Sequence, residues 1–343
     1  MFRQAYGEKP VEAPKFFCQR RNTLFLYRSA HGKKKILKIF RPGKEGDSLV
    51  GDLRLQKELL DEIGPDRVVS MEHVISYEGH LGIIMEYIDG MNLEQWIENQ
   101  GKKIAPSQAL NMMRQIGSTM SLVHRRGLIH RDLKPSNVLI RSGDGKPQIS
   151  DFELATCADR VFTGDMPEGT LGYMPPEQME AKRRCSKSVD VFAMGVMLYE
   201  MVVGRHPYPF CESFSAYYHA LQKGPASFPE VWDSKGDMAY ILSTALEFNP
   251  RNRYQDAEQF TRDIECILQG RRIQRTTGRK WRFFKKRHEY AGRAVLAFGL
   301  VGAASLLFII LSWAAKHSFE VITSKNQSES AAKIGRASCR ERV

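Results

Sequence analysis

Residues 16–28 (FFCQRRNTLFLYR) carry two short apolar runs separated by polar residues, the pattern of two strands around a turn. Lys35–Phe40 (KILKIF) reads as a further strand, and strand alternation puts Ile36 and Lys38 on one face. Residues 52–63 (DLRLQKELLDEI) follow the helical period and predict an amphipathic helix. Another apolar strand lies within 81–90 (LGIIMEYIDG). A long helical pattern occupies 107–126, with Gly127 in the C-cap position, and Pro147–Ser150 is a short strand-like run. The methionine-rich stretch at 194–201, inside DVFAMGVMLYEM, predicts a core helix and not a ligand-binding stripe. Residues 294–315 (AVLAFGLVGAASLLFIILSWAA) are 22 in number and uncharged, enough to cross a hydrocarbon core of ~30 Å.

Composition alters this picture at one point only. The chain has 343 residues, 42% hydrophobic and 26% charged, with a net charge of +12. Ten Lys or Arg against one Glu lie within 271–293, and four against one within 333–343, so the remainder is neutral. A basic chain suggests nucleic acid, but a neutral body with its charge confined to the tail argues against a nucleic-acid partner. The six cysteines are scattered without zinc spacing and are read as reduced, in a cytosolic compartment. Met1–Pro14 lacks the apolar core of a signal peptide.

The chemistry-bearing residues cluster in the middle of the chain. His130-Arg131-Asp132-Leu133-Lys134-Pro135-Ser136-Asn137 precedes Asp151-Phe152, and Gly169-Thr170 leads into Gly172-Tyr173-Met174-Pro175-Pro176-Glu177. Together they resemble the signatures of protein kinases. Over roughly residues 15–270 the likeness is to bacterial membrane-anchored Ser/Thr protein kinases. It implies an α+β, two-lobed protein-kinase-like fold: a small β-rich lobe (1–88), a larger helical lobe (89–270), and a cleft for ATP and Mg²⁺ or Mn²⁺. Phosphoryl transfer asks for positioning and charge neutralisation more than covalent chemistry. By resemblance, Asp132 accepts the proton of the attacking hydroxyl, Lys134 sits by the transferred phosphoryl, and Asn137 and Asp151 hold the metal. Lys38 pairs the ATP phosphates and a helix glutamate, for which Glu58 is the candidate, although family spacing points nearer Gln56. Ile36 meets adenine, Met85 guards the back of the pocket, and the backbones of Glu86 and Ile88 bond the adenine edge. Thr170 is expected to contact Lys134 and Asp132. Glu177 is expected to pair with Arg253, and Asp190 to brace the catalytic loop. Thr156 and Thr163 are candidate phosphosites whose phosphate would pair with Arg131.

Three departures from the family pattern stand out. No glycine lies between Gly7 and Gly32, where the family has a glycine-rich loop over the phosphates. Asn22 is expected to supply a positive φ there, and Arg20 and Arg21 are read as solvated. Ile36 replaces the usual alanine. Glu153 follows Asp151-Phe152 where the family has glycine, which leaves open whether it faces solvent, opposes ATP or helps hold a metal. Lys33, Lys34 and Lys35 are read as a solvated turn.

These readings lead to an ATP-dependent, autophosphorylating Ser/Thr protein kinase acting on protein substrates. The basic segment 271–293 is expected to attract anionic lipid, and 294–315 to form one C-terminal transmembrane helix with the kinase on the cytoplasmic side. Residues 316–332 would then be extracytoplasmic. Residues 333–343 (KIGRASCRERV) resemble translated sequencing-adapter DNA and are set aside from the fold. The sequence leaves the oligomeric state open, a homodimer included. The alternative reading is a pseudokinase scaffold, supported by the missing glycines, Ile36 and Glu153. A small-molecule kinase is disfavoured by the intact segment 169–177.

Overall fold

The computed structural model describes residues 15–19, 22–40, 46–77, 80–157, 161–163, 169–180, 182–226 and 236–274. The chain divides at Arg275 into two units, and every described residue belongs to the first. The uncharged run at 294–315, the basic residues from 275 onward, and Arg20 and Arg21 lie outside the described residues. Among the described residues no helix is long and apolar enough to cross a membrane.

Five strands make an antiparallel sheet: β1 (Lys15–Gln19), β2 (Thr23–Arg28), β3 (Lys34–Ile39), β4 (Met71–Tyr77) and β5 (His80–Glu86). Their order is β1-β2-β3-β5-β4, and the helix α1 (Gly46–Asp61) falls between β3 and β4 in the chain. The β2–β3 turn closes on Gly32, whose φ of 77° a side chain would disfavour. Alternation along the strands divides the core. Tyr27, Leu37 and Ile84 pack on one face, while Phe40 and Ile83 pack on the other with Met71 and Leu53 of α1. Leu53, Gln56 and Leu60 form the buried line of α1, spaced as neighbours on one helix face. The expected lysine turn is corrected here. Lys34 and Lys35 belong to β3, Lys34 lies over the Tyr87 ring, and Lys35 pairs with Glu72 across the sheet.

The helical part is organised on α3 (Pro106–Arg125) and α4 (Ser188–Val203), which follow the short β6 (Gly90–Asn92) and α2 (Leu93–Asn99). Asn92 starts α2 with a reciprocal capping box with Gln95. α4 is apolar on almost every side and accordingly buried all round; Met194, Met197 and Met201 are fully enclosed, as expected for core packing. α5 (Phe214–Lys223), α6 (Asp237–Ala245) and α7 (Ala257–Leu268) complete the layer. α3 and α7 approach so closely at Gly117 that a Cβ there would stand 2.2 Å from Thr261 Oγ1. Between these helices run β7 (Leu128–Ile129), β8 (Val138–Arg141) and β9 (Pro147–Ile149), with β8 joining β6 and β9 in a three-stranded sheet. β10 (Thr156–Cys157) pairs with β7, and β11 (Val161–Thr163) with β12 (Lys182–Arg184).

One ion pair locks the segment after β11 to the helical core. Arg253 is wholly buried, and its guanidinium meets Glu177 in a fork at 2.5 and 2.7 Å. Its remaining donors reach the carbonyls of Glu247, Ser188 and Phe248. Removing one partner of such a pair strands the other charge in the core. Glu177→Ala is therefore expected to destabilise the fold by about 3–5 kcal/mol. The double variant Glu177→Leu/Arg253→Met should recover much of that loss. Chemical denaturation midpoints check both, and equal losses in the single and double variants would refute the account.

Candidate active site

The catalytic-loop backbone is held from below by a buried carboxylate. Asp190 is fully enclosed at the start of α4 and accepts the backbone N–H of both His130 and Arg131 at 2.9 Å. His124 of α3 adds a third contact at 2.9 Å through Nε2. Its Nδ1 accepts the N–H of Ala257, so Nε2 carries the proton and donates. Burial pushes the Asp190 carboxyl up, but the hydrogen bond from His124 and those from the loop amides outweigh it and hold it below the usual range. The clamp keeps Arg131 at φ 67°, a left-handed backbone that a non-glycine residue pays to adopt.

That bend presents the polar residues of the loop. Asp132 Oδ2 receives Lys134 Nζ at 2.7 Å, and its Oδ1 receives the Thr170 hydroxyl at 2.7 Å. Lys134 Nζ also reaches Thr170 Oγ1 at 2.6 Å, so the three side chains close a triangle, the contact expected of Thr170. Asn137 stands in a 3₁₀ turn (Pro135–Asn137) and donates its Nδ2 to the Asp132 carbonyl at 2.8 Å. His130 packs on Phe152 with ring centroids 4.7 Å apart and bonds the Ser150 carbonyl.

Asp151 follows β9 with φ 65° and ψ 57°, a second strained non-glycine residue. The twist turns its carboxylate to Lys38, 2.6 Å away across the cleft. Lys38 Nζ also lies 2.7 Å from Glu153 Oε2, and that oxygen accepts Asn22 Nδ2 at 2.7 Å. Burial alone would lower the Lys38 ammonium, yet the two carboxylates outweigh it and hold it above the ordinary lysine value. For Asp151 burial acts upward, and the charge and hydrogen bond of Lys38 win, so it is held low.

Lys38 and Asp151 face a cleft of about 710 Å³ that Asp132, Lys134, Asn137 and Glu153 also line. Its apolar end is made by Leu24, Ile36, Val69, Met85 and Leu139. Ile36 lies opposite Met85 across β3 and β5. Glu86 and Ile88 also line the cleft, and the Glu86 N–H is taken by the Ser70 carbonyl.

Several expectations are corrected. Glu58 is exposed on α1 and does not meet Lys38. The buried line of α1 runs through Leu53 and Leu60, which carries position 56 inward and turns 58 outward. Gln56 bonds the Ala155 carbonyl at 2.8 Å. Asn22 is not among the positive-φ residues; it acts through its side chain. Glu153 sits in the 3₁₀ turn Phe152–Leu154 without positive φ, so a side chain fits there unstrained. Thr156 is buried and paired with Ile129 in the β7–β10 ladder, so its hydroxyl is no accessible phosphosite, while Thr163 pairs through its backbone with Lys182. Sequence reading missed the Asn22–Glu153 contact altogether. The leucine spacing in α1 was the available signal for Gln56.

The donor set suits a hard divalent metal. Asp151 offers a carboxylate held ionised, and Asn137, which spends its amide nitrogen on the loop, keeps Oδ1 as an acceptor that this bond does not use. Among the described residues no three His, Cys, Asp or Glu side chains cluster as a closed metal cage. A divalent ion that completes its shell with phosphates and water needs only one or two protein ligands.

Comparison with known proteins agrees with this geometry. The chain is 31% identical over 237 residues to the probable serine/threonine-protein kinase PknB of Lactococcus lactis, covering 66% of this chain and 36% of that protein. It is 29% identical over 244 residues to the serine/threonine-protein kinase PrkC of Bacillus subtilis, covering 69% of this chain and 37% of that one. Against PknA of Corynebacterium glutamicum the figures are 29% over 245 residues, 69% and 51%. The chain thus spans from about a third to a half of these relatives' lengths. The protein kinase domain matches residues 25–277, and with the loop, the lysine and the cleft placed as above, the chain belongs to the protein kinase family.

Proposed function

We propose that this protein transfers the terminal phosphoryl group of ATP to Ser or Thr hydroxyls of protein substrates, itself included, while tethered to a membrane. The observation that carries the reading is the Asp132–Lys134–Thr170 triangle facing Asp151 and Lys38 across one cleft. Adenine fits the apolar end between Ile36, Leu139 and Met85, with Glu86 and Ile88 at its edge. Lys38 aims its charge at the phosphates. Asp151 and Asn137 would hold the divalent metal, which supplies neutralisation of the charge spreading over the phosphate oxygens. Asp132 accepts the proton of the substrate hydroxyl, and Lys134 beside it neutralises the oxygens of the group in flight. The contact of Lys134 with Thr170, and the names of the relatives, support a Ser/Thr preference. Tethering rests on the uncharged run 294–315 and the basic flank before it.

Asp132→Asn keeps the shape and removes the proton acceptor. Phosphorylation by the full chain in detergent or lipid should fall on the order of 10²–10⁴-fold, with ATP binding largely intact. A wild-type protein that transfers no phosphate at any Mg²⁺ or Mn²⁺ concentration would instead establish the scaffold reading. Phosphoamino-acid analysis should find phosphoserine and phosphothreonine; a product dominated by phosphotyrosine contradicts the assigned substrate class. A topology reporter fused after Ala332 should respond as extracytoplasmic, and cytoplasmic reporter activity at that junction would remove the tether.

A further inference from the structure

Among the described residues Lys38 has two acidic partners, and neither comes from helix α1. Asp151 and Glu153 flank its ammonium at 2.6 and 2.7 Å, both from the turn after β9. The residue that α1 turns inward is an amide, Gln56; its Nε2 is used on Ala155, and its Oε1 makes no hydrogen bond among the described residues. Glu153 is no bystander at the cleft mouth. Its side chain is only 24% exposed, and the same oxygen that meets Lys38 holds Asn22 of the β1–β2 turn.

We infer that Glu153 is a positioning residue that sets Lys38 for the nucleotide phosphates, in place of an acid on α1, and that Asn22 clamps it there from the β1–β2 turn. This rests on the kinase reading of the cleft. Asp151 is asked to do two things, to neutralise Lys38 and to hold the metal. If it were the lysine's sole partner, ammonium and metal would compete for one carboxylate. Glu153 gives the ammonium a partner that does not depend on the metal and leaves Asp151 free to turn to it. The Asn22 amide brings no charge but fixes which way the glutamate points, and it joins the strand turn above the cleft to the Asp-Phe turn below. The lysine then follows the turn at 151–153 and the β1–β2 turn, and its setting is independent of α1.

The test uses the full chain with three variants and three measurements: binding of a fluorescent ATP analogue with Mg²⁺, acetylation of Lys38 by acetic anhydride read by mass spectrometry, and steady-state kinetics. Glu153→Gln should weaken nucleotide binding roughly tenfold, the scale of one charge-assisted hydrogen bond. It should speed acetylation of Lys38, because a side chain held by one partner fewer moves more freely to the reagent. The KM for ATP should rise by more than kcat falls. Asn22→Ala should move every readout the same way by less, and serves should Glu153→Gln fold poorly. Gln56→Ala should leave Lys38 acetylation and nucleotide binding unchanged. Unchanged binding and labelling in Glu153→Gln and Asn22→Ala would overturn the inference, as would a Gln56→Ala loss equal to that of Glu153→Gln. Binding and labelling need no phosphoryl transfer. A wild-type chain that transfers nothing therefore sinks the kinase reading alone, and the Lys38 labelling still decides the role of Glu153.

Discussion

The buried carboxylate of Asp190 is the constraint on which the site depends. It has no water to solvate it, so its charge must be met by donors at fixed places: His124 Nε2 and the amides of His130 and Arg131. Meeting it forces the loop to turn at Arg131 with a backbone that the chain would otherwise avoid. The turn in turn brings Asp132 to Lys134 and Thr170, and lets Arg131 reach the Leu154 carbonyl and receive Gln178 at its own. Loop, Asp-Phe turn and the 3₁₀ turn that carries Gln178 are thus registered against one anion in α4. The same His124 seats the first residue of α7, so the orientation of the catalytic loop is tied to the packing of three helices.

Much of this was legible in the sequence because short-range spacing fixes it. The octapeptide from His130 to Asn137 places its side chains within one loop, and alternation in β3 is enough to put Ile36 and Lys38 on the cleft face. The methionines of α4 declared themselves as core by the lack of a polar face. Glu177 and Arg253 lie far apart in the chain, and their pairing was readable only through the family likeness; the fork geometry is what the structure adds.

What was not legible depends on which way a side chain turns once distant segments meet. Glu58 looked the natural partner for Lys38 because it is acidic and on the right helix. The decisive fact is rotational: Leu53 and Leu60 must be buried, and the residue between them on that line is Gln56. Thr156 looked like an open loop residue, and a two-residue ladder with β7 buries it. Asn22 reads in the sequence as a turn residue that serves through its backbone, whereas its contribution is a hydrogen bond to a residue more than a hundred positions away. None of these outcomes contradicts the chain's hydrophobic pattern; each needed the register between two elements.

The substitution of glutamate after Asp151-Phe152 and the loss of glycine from the β1–β2 turn look like two separate defects when read one by one. In three dimensions they are two ends of one contact. Glycine in a phosphate-covering turn lets the backbone approach without a Cβ, but it fixes nothing by itself. Asn22 sacrifices that approach and gains a side chain that can be held, and Glu153 is the residue placed to hold it. Glu153 could not face an empty cleft at low cost, since an unpaired carboxylate beside Asp151 would repel it and the incoming phosphates alike. With Lys38 at 2.7 Å it is neutralised where it stands. Lys38 is thus what makes the glutamate tolerable, so the two departures from the family pattern are intelligible only together.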